Sequence, residues 1–139
     1  MRILVPVDGS AGALRAVQHA AAVVKEGAEV ELVNVQPPMP LYGMVRAYMR
    51  APQYRAACAA LAEKALNPAI KLLKRARVAH RSHVMYGEPG ATIADAARRL
   101  KCRAIVMGTR GQGAVGNLLL GSVATKVIHL AKVPVTLVK

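Results

Sequence analysis

The sequence predicts an α/β fold: a single three-layer α/β/α domain over residues 1–139, built on a five-stranded parallel sheet of order 3-2-1-4-5. Three observations carry that expectation. Short β-branched runs alternate along the chain with longer segments of helical periodicity. Gly, Pro or Asp-Gly punctuation marks most of the changes. The composition is 54% hydrophobic with four Tyr and no Phe or Trp, which calls for an aliphatic core of one domain's size.

Taken in order, Arg2 to Val7 is apolar and ends at Asp8-Gly9, giving strand one. Ser10 to Lys25 sets Ala13, Leu14, Val17, Ala20, Ala21 and Val24 on one helical stripe, and Gly27 is placed to close the helix. Val30 to Val35 is strand two. Pro37, Pro38 and Pro40 then stop regular structure, so residues 36 to about 51 are the longest loop, and the part from 37 to 51, bearing Met39, Met44, Tyr48 and Met49, reads either as a flap or partner surface or as a plain loop packed on the sheet. A long helix from about Pro52 to Arg77 takes Ala56, Ala60, Leu61, Ala65, Ile70, Leu72 and Leu73 as its apolar positions, with Pro68 expected to kink or split it.

Ala79 to Tyr86 reads as strand three, ended by Gly87-Glu88-Pro89-Gly90. Thr92 to Leu100 is a shorter helix that buries Ile93, Ala96, Ala97 and Leu100. Arg103 to Met107 is strand four, Ser122 to Leu130 the last helix, and Val133 to Val138 strand five. Right-handed crossovers make the sheet parallel, and its order reverses between strands one and four. Ligands of open α/β sheets bind outside the carboxyl ends of the strands at such a reversal. Asp8 and Gly108 end those two strands, so they are expected to meet there.

Composition also excludes several classes. No apolar run approaches the roughly 18 residues of a membrane helix, so no membrane insertion is expected. The start of the chain reads as a strand rather than a signal peptide. Cys58 and Cys102 have neither metal-site nor disulfide spacing, which fits a reduced cytoplasm. The 20 basic residues outnumber 7 acidic ones, a net charge of +13 that favours nonspecific polyanion binding. The densest run spans Lys71, Lys74, Arg75, Arg77, His80, Arg81 and His83; it reads as a solvated face or as a polyanion site. Aromatic stacking residues are scarce and no zinc-finger or helix-turn-helix pattern stands out, which weakens a dedicated nucleic-acid module.

The chemistry concentrates near the end. Met107-Gly108-Thr109-Arg110-Gly111 follows strand four, and Gly121-Ser122-Val123 opens the last helix. Glycines let backbone N–H groups approach an anion, and a helix start supplies unpaired donors and the positive end of its dipole. These are the parts of a phosphate cradle.

Gly108-x2-Gly111-x9-Gly121-Ser122 resembles the ATP-binding signature of the universal stress protein family, with both spacings intact. Ile3-Leu4-Val5-Pro6-Val7-Asp8-Gly9-Ser10, Gly87-Glu88-Pro89 and Val133 to Val138 are similar to that family too, so the resemblance spans the chain. It implies the adenine nucleotide alpha hydrolase-like, Rossmann-like variant of the fold, ATP as ligand with any Mg or Mn carried by the nucleotide, a stress-responsive role, and a homodimer. Carried over by position, it implies that Asp8 accepts hydrogen bonds from the ribose side. Pro6 and Val7 bring backbone to the nucleoside, and Val35 supplies main-chain contacts to adenine. Met107, Gly108 and Gly111 pass the loop near the phosphates, Arg110 reaches one of them, and Gly121, Ser122 and Val123 donate from the helix start. Thr109, Gln112 and Asn117 are weaker candidates. Ala124 lacks the hydroxyl some ATP-binding relatives carry there, with Thr125 as its substitute.

No G-x-x-x-x-G-K-[ST] loop exists, no lysine sits in the cradle, and Glu88 and Asp95 are poorly placed to activate water. His80 and His83 fall on opposite faces of strand three, so they make no ligand pair. The leading expectation is therefore an ATP-binding stress regulator that acts through conformation or partner choice. The alternatives are a slow ATPase or autophosphorylating protein, and a nucleotide-independent protein using its basic surface. Strand five, rich in Val and Leu at a sheet edge, is the expected homodimer contact.

Overall fold

The computed structural model describes residues 1–111 and 119–139. In chain order the elements are β1 (Arg2–Pro6), α1 (Ala11–Val23), β2 (Glu29–Gln36), α2 (Met44–Tyr48), α3 (Ala51–Arg75), β3 (Ala79–Tyr86), α4 (Pro89–Arg99), β4 (Ala104–Gly108), α5 (Ser122–Leu130) and β5 (Val135–Val138). The strands pair as β3-β2-β1-β4-β5, and every pairing is parallel. The expected order and its reversal between β1 and β4 are both present.

Strand alternation divides the interior into two layers. Ile3, Val5, Val30 and Leu32 point to one side, where Ala16, Val17 and Ala20 of α1 and Leu66, Ala69 and Leu73 of α3 cover them. Leu4, Val33, Ile105 and Met107 point to the other, under Ile93, Ala96 and Ala97 of α4 and Ala124 and Val127 of α5. Burying both faces of a parallel sheet explains why β1 and β4 read as continuous apolar runs.

Several boundaries differ from the sequence reading. α1 stops at Val23 because Val24 turns to extended backbone (φ −65°, ψ 133°), so Gly27 does not close it. Gly27, at φ +80°, instead sits in the turn where the Ala28 N–H donates to Lys25 O at 3.0 Å. The long loop contains the short helix α2. α3 runs unsplit for 25 residues through Pro68, whose ring lies on the exposed face while buried Leu66 and Ala69 hold both sides of it to the sheet. The buried face of α3 is Cys58, Ala62, Leu66, Ala69 and Leu73; Ala56 and Ala60 are exposed, and Leu61 is 60% exposed. α4 starts three residues earlier than expected, at Pro89, because Glu88 caps it.

The amino ends of the strands carry a charged ladder instead of a site. Arg2 Nε lies 3.3 Å from Glu29 and 3.5 Å from Glu31, and Arg81 Nε lies 2.8 Å from Glu29. Glu31, only 1% exposed, also accepts from His83 Nε2 at 2.7 Å. Together with His80 Nδ1 on Val78 O, these pairings engage three of the seven residues in the dense basic run.

Candidate functional site

At the carboxyl ends of β1 and β4 a cleft of about 440 Å³ opens at the reversal of strand order. Pro6, Val7 and Asp8 reach it from the end of β1, and Val35 from the end of β2. Met107, Gly108, Arg110 and Gly111 come from β4 and the loop after it. Gly121, Ser122 and Val123 close it from the start of α5. All eleven residues expected at the site therefore line one cavity. Gln112 and Asn117 lie outside the described residues.

Three helices start at this cleft, and their N-termini differ in one respect. α1 is capped by Ser10, whose Oγ accepts from the Ala13 N–H at 3.1 Å. α4 is capped by Glu88, whose two oxygens accept from the N–H groups of Gly90 at 3.1 Å and Ala91 at 2.8 Å. Those bonds, the Ala91 one foremost, hold the Glu88 carboxyl below the ordinary carboxylate range. At α5 the N-cap is Gly121, and no side chain among the described residues caps the helix. Its first turn and its dipole thus face the cleft with no side-chain cap among the described residues.

Asp8 is fixed by its own turn: its Oδ1 accepts from the Ser10 N–H at 2.9 Å, so it orients the α1 entry while Ser10 does the capping. Gly111 lies against the same carboxylate, and a Cβ at Gly111 would collide with Asp8 Oδ2. A Cβ on Gly108 would stand 2.9 Å from the carbonyl carbon of Gly12, and one on Gly12 would stand 2.8 Å from Arg110 O. Gly121 is tied back by its N–H to Thr109 O at 2.7 Å. The glycines are therefore required by close backbone approach between α1, the loop after β4 and α5.

Two further residues shape the site without having been singled out in the sequence. Asn34, 3% exposed, donates from Nδ2 to Val7 O at 2.8 Å and accepts from Gln36 Nε2 at 2.8 Å. With the Val7 N–H on Val33 O at 2.8 Å, it pins the end of β1 that presents Asp8. A lone amide inside the apolar run Val30 to Val35 was the available signal. Gly12, buried at the second position of α1, is the other. Thr125 does not replace the hydroxyl missing at Ala124, because its Oγ1 donates to Gly121 O at 3.0 Å and it lies outside the cleft. Ile93 and Pro89 of α4 add an apolar wall.

Among the described residues, no group of three or more His, Cys, Asp or Glu is placed to hold a metal. Glu88 is engaged as a cap, and Asp95 pairs with Arg98. Cys102 is buried at the far end of β4, and burial pushes its thiol up to about 11, so it carries no thiolate at neutral pH.

Comparison with known proteins agrees with this geometry. Residues 1–139 match the family model described as the universal stress protein family. The chain is 36% identical to the "Universal stress protein in QAH/OAS sulfhydrylase 3'region" of Thermus aquaticus, over 99% of this chain and 97% of the relative. Among solved structures it is similar to a universal stress protein from Archaeoglobus fulgidus, at TM-score 0.77 and 29% identity, covering 100% of this chain and 98% of that one. It is also similar to the universal stress protein from Archaeoglobus fulgidus in complex with dAMP, at TM-score 0.73 and 26% identity, covering 100% and 98%.

Proposed function

The chain belongs to the universal stress protein family, and from that premise we propose that its cleft binds ATP and that bound nucleotide regulates a stress response through conformation or partner choice. The observation that carries this reading is the contrast among the three helix starts: α1 and α4 hold side-chain caps, whereas α5 turns into the cleft an N-terminus that no side chain among the described residues caps. The dAMP complex of the Archaeoglobus fulgidus relative supports an adenine nucleotide as the occupant.

In this reading the adenosine lies across the ends of β1 and β2. Asp8 accepts from the ribose hydroxyls, Pro6 and Val7 pack on the nucleoside, and Val35 offers main-chain contacts to the base. The phosphates lie against the loop from Met107 to Gly111 and the N–H groups of Ser122 and Val123, whereas the Gly121 N–H expected to donate is already taken by Thr109 O. Arg110, exposed at the rim, pairs with a terminal phosphate. Magnesium or manganese arrives on the nucleotide. The output is a population shift: nucleotide bridging α1, the loop after β4 and α5 favours the conformation that joins all three. The same reading places the protein in the cytoplasm, where its buried thiols Cys58 and Cys102 stay reduced, and joins two copies through β5.

Calorimetric titration of nucleotide-stripped protein with ATP and magnesium, with AMP as comparator, tests the reading. Saturable binding is expected to weaken at least about tenfold (~1.4 kcal/mol) in Gly121→Val, since even a Cβ there stands 3.3 Å from Thr109 O. The absence of heat at millimolar ATP overturns it.

A further inference from the structure

α2 has its apolar stripe on the wrong side for a core. Met44, Val45 and Tyr48 share one face of the helix, yet no residue of α2 is buried. Met44 is 75% exposed, Tyr48 81%, and the preceding Leu41 and Tyr42 are 78% and 86% exposed. A single exposed apolar side chain is ordinary, but with Val45 also exposed there are five large ones within eight residues, and that is not. The segment is nevertheless held at its base, because the Tyr54 hydroxyl donates to Pro37 O at 2.8 Å and the Arg50 N–H donates to Gln53 Oε1 at 2.9 Å.

Charge identifies the surface this segment fits. From residue 32 to residue 62 the sequence has no Asp or Glu, while Arg46, Arg50 and Arg55 flank the apolar positions. We propose that this segment seats on an anionic lipid bilayer surface, with Leu41, Tyr42, Met44 and Tyr48 entering the interface and Arg46 and Arg50 pairing with headgroups. Among the described residues no helix is long and apolar enough to cross a membrane, so the contact is peripheral. Side chains that stand this far out match a bilayer interface, which accepts protruding apolar groups at any spacing, better than a protein that must supply a fitted pocket for each. Tyr rings suit the boundary, with an apolar body below and a hydroxyl at headgroup level. Stable peripheral binding takes an apolar and a basic signal together, and this segment carries both. The +13 net charge brings the chain to an acidic surface before the segment engages.

The test is sedimentation of the full chain with phosphatidylcholine vesicles and with vesicles about one third phosphatidylserine, at ~0.15 M salt. The parent is expected to pellet with the phosphatidylserine vesicles alone. Brominated lipid is expected to quench its tyrosine fluorescence. The triple variant Leu41→Ser/Tyr42→Ser/Tyr48→Ser, changed only at exposed positions, is expected to keep its circular dichroism and lose at least tenfold in partition. Arg46→Ala/Arg50→Ala is expected to lose less, and its remaining binding to be more resistant to salt. Equal binding by the triple variant overturns the proposal in favour of whole-surface charge, and so does a failure of the parent to bind phosphatidylserine vesicles. A lower sedimentation mass of the triple variant without lipid also overturns it, by assigning the segment to a contact between copies of the chain.

Discussion

Small distances at single residues decide how the cleft is held. Gly12 is the sharpest case, because the atom nearest its missing Cβ is the backbone carbonyl of Arg110 at 2.8 Å, which cannot rotate aside as a side chain could. Gly12→Ala is expected to push α1 and the loop after β4 apart. Nucleotide affinity should fall about tenfold (~1.4 kcal/mol) while secondary structure is kept. Titration calorimetry beside circular dichroism checks it, and an unchanged affinity would detach Gly12 from the site. Glu88 gives a pH test at the same scale. The Ala91 N–H first, then Gly90 and Lys126, lower its folded pKa below the 4.5 of an ordinary glutamate. The folded state therefore binds this proton less tightly than the unfolded chain does. The charged cap contributes fully above about 4.5, and that contribution fades as pH falls through the lower folded value. Glu88→Gln should accordingly be less stable than the parent at neutral pH, with the gap closing in acid. Urea unfolding curves at both pH values measure this, and a gap that stays constant refutes the assignment.

Elements differ in how strongly their residues dictate position. In β2, Glu31 is buried with His83 and Arg2 as partners, so the β1-β2-β3 register is specified by charge as well as by alternation. Removing the nearer partner leaves a desolvated carboxylate that Arg2, at 3.5 Å, compensates only in part. His83→Ala is expected to cost about 1–3 kcal/mol in urea unfolding. Arg81→Ala, at an exposed pair with Glu29, should cost no more than about 1 kcal/mol. Similar costs for both would mean that the burial of Glu31 is irrelevant. The same contrast explains what was legible in the sequence. Strand order, β3 and α5 followed from alternation, because a parallel sheet allows few topologies, and Asp8 and the glycine loop followed from their places at the strand ends, whereas Pro6, Val7 and Val35 were implied only by the family resemblance. The face of α3 did not: with eight Ala in that helix, hydrophobicity marks no single stripe, and packing against the sheet chose Ala62, Leu66 and Ala69. α2 was hidden among prolines and makes no core contact that a periodic pattern could report. Asn34 and Gly12 act through backbone contacts with distant segments, which one sequence does not display.

For the whole molecule, the sheet has an unfinished edge that carries the proposed dimer. β5 hydrogen-bonds only to β4, so among the described residues its outer edge is open. Leu137 is 37% exposed there, and Ile128 and Leu130 of the neighbouring α5 are 43% and 42% exposed. A two-fold axis along this edge would extend the sheet into a second copy and cover these side chains. Sedimentation equilibrium should then report twice the 14.7 kDa chain mass. Leu137→Arg should return the protein to a monomer by placing a charge in an apolar contact; a parent that sediments at 14.7 kDa removes the dimer from the reading. Salt separates this contact from the other associations a basic chain can make. Two copies at +13 each repel over a distance that shrinks to ~10 Å at 0.1 M salt, while apolar packing at β5 is insensitive to screening. Dimerisation should therefore tighten as salt is raised from about 0.02 to about 0.3 M. Binding to acidic vesicles or nucleic acid releases counterions and should weaken over the same range. A self-association that instead dissolves with salt would be bridged by charge, and the β5 edge would not be its seat.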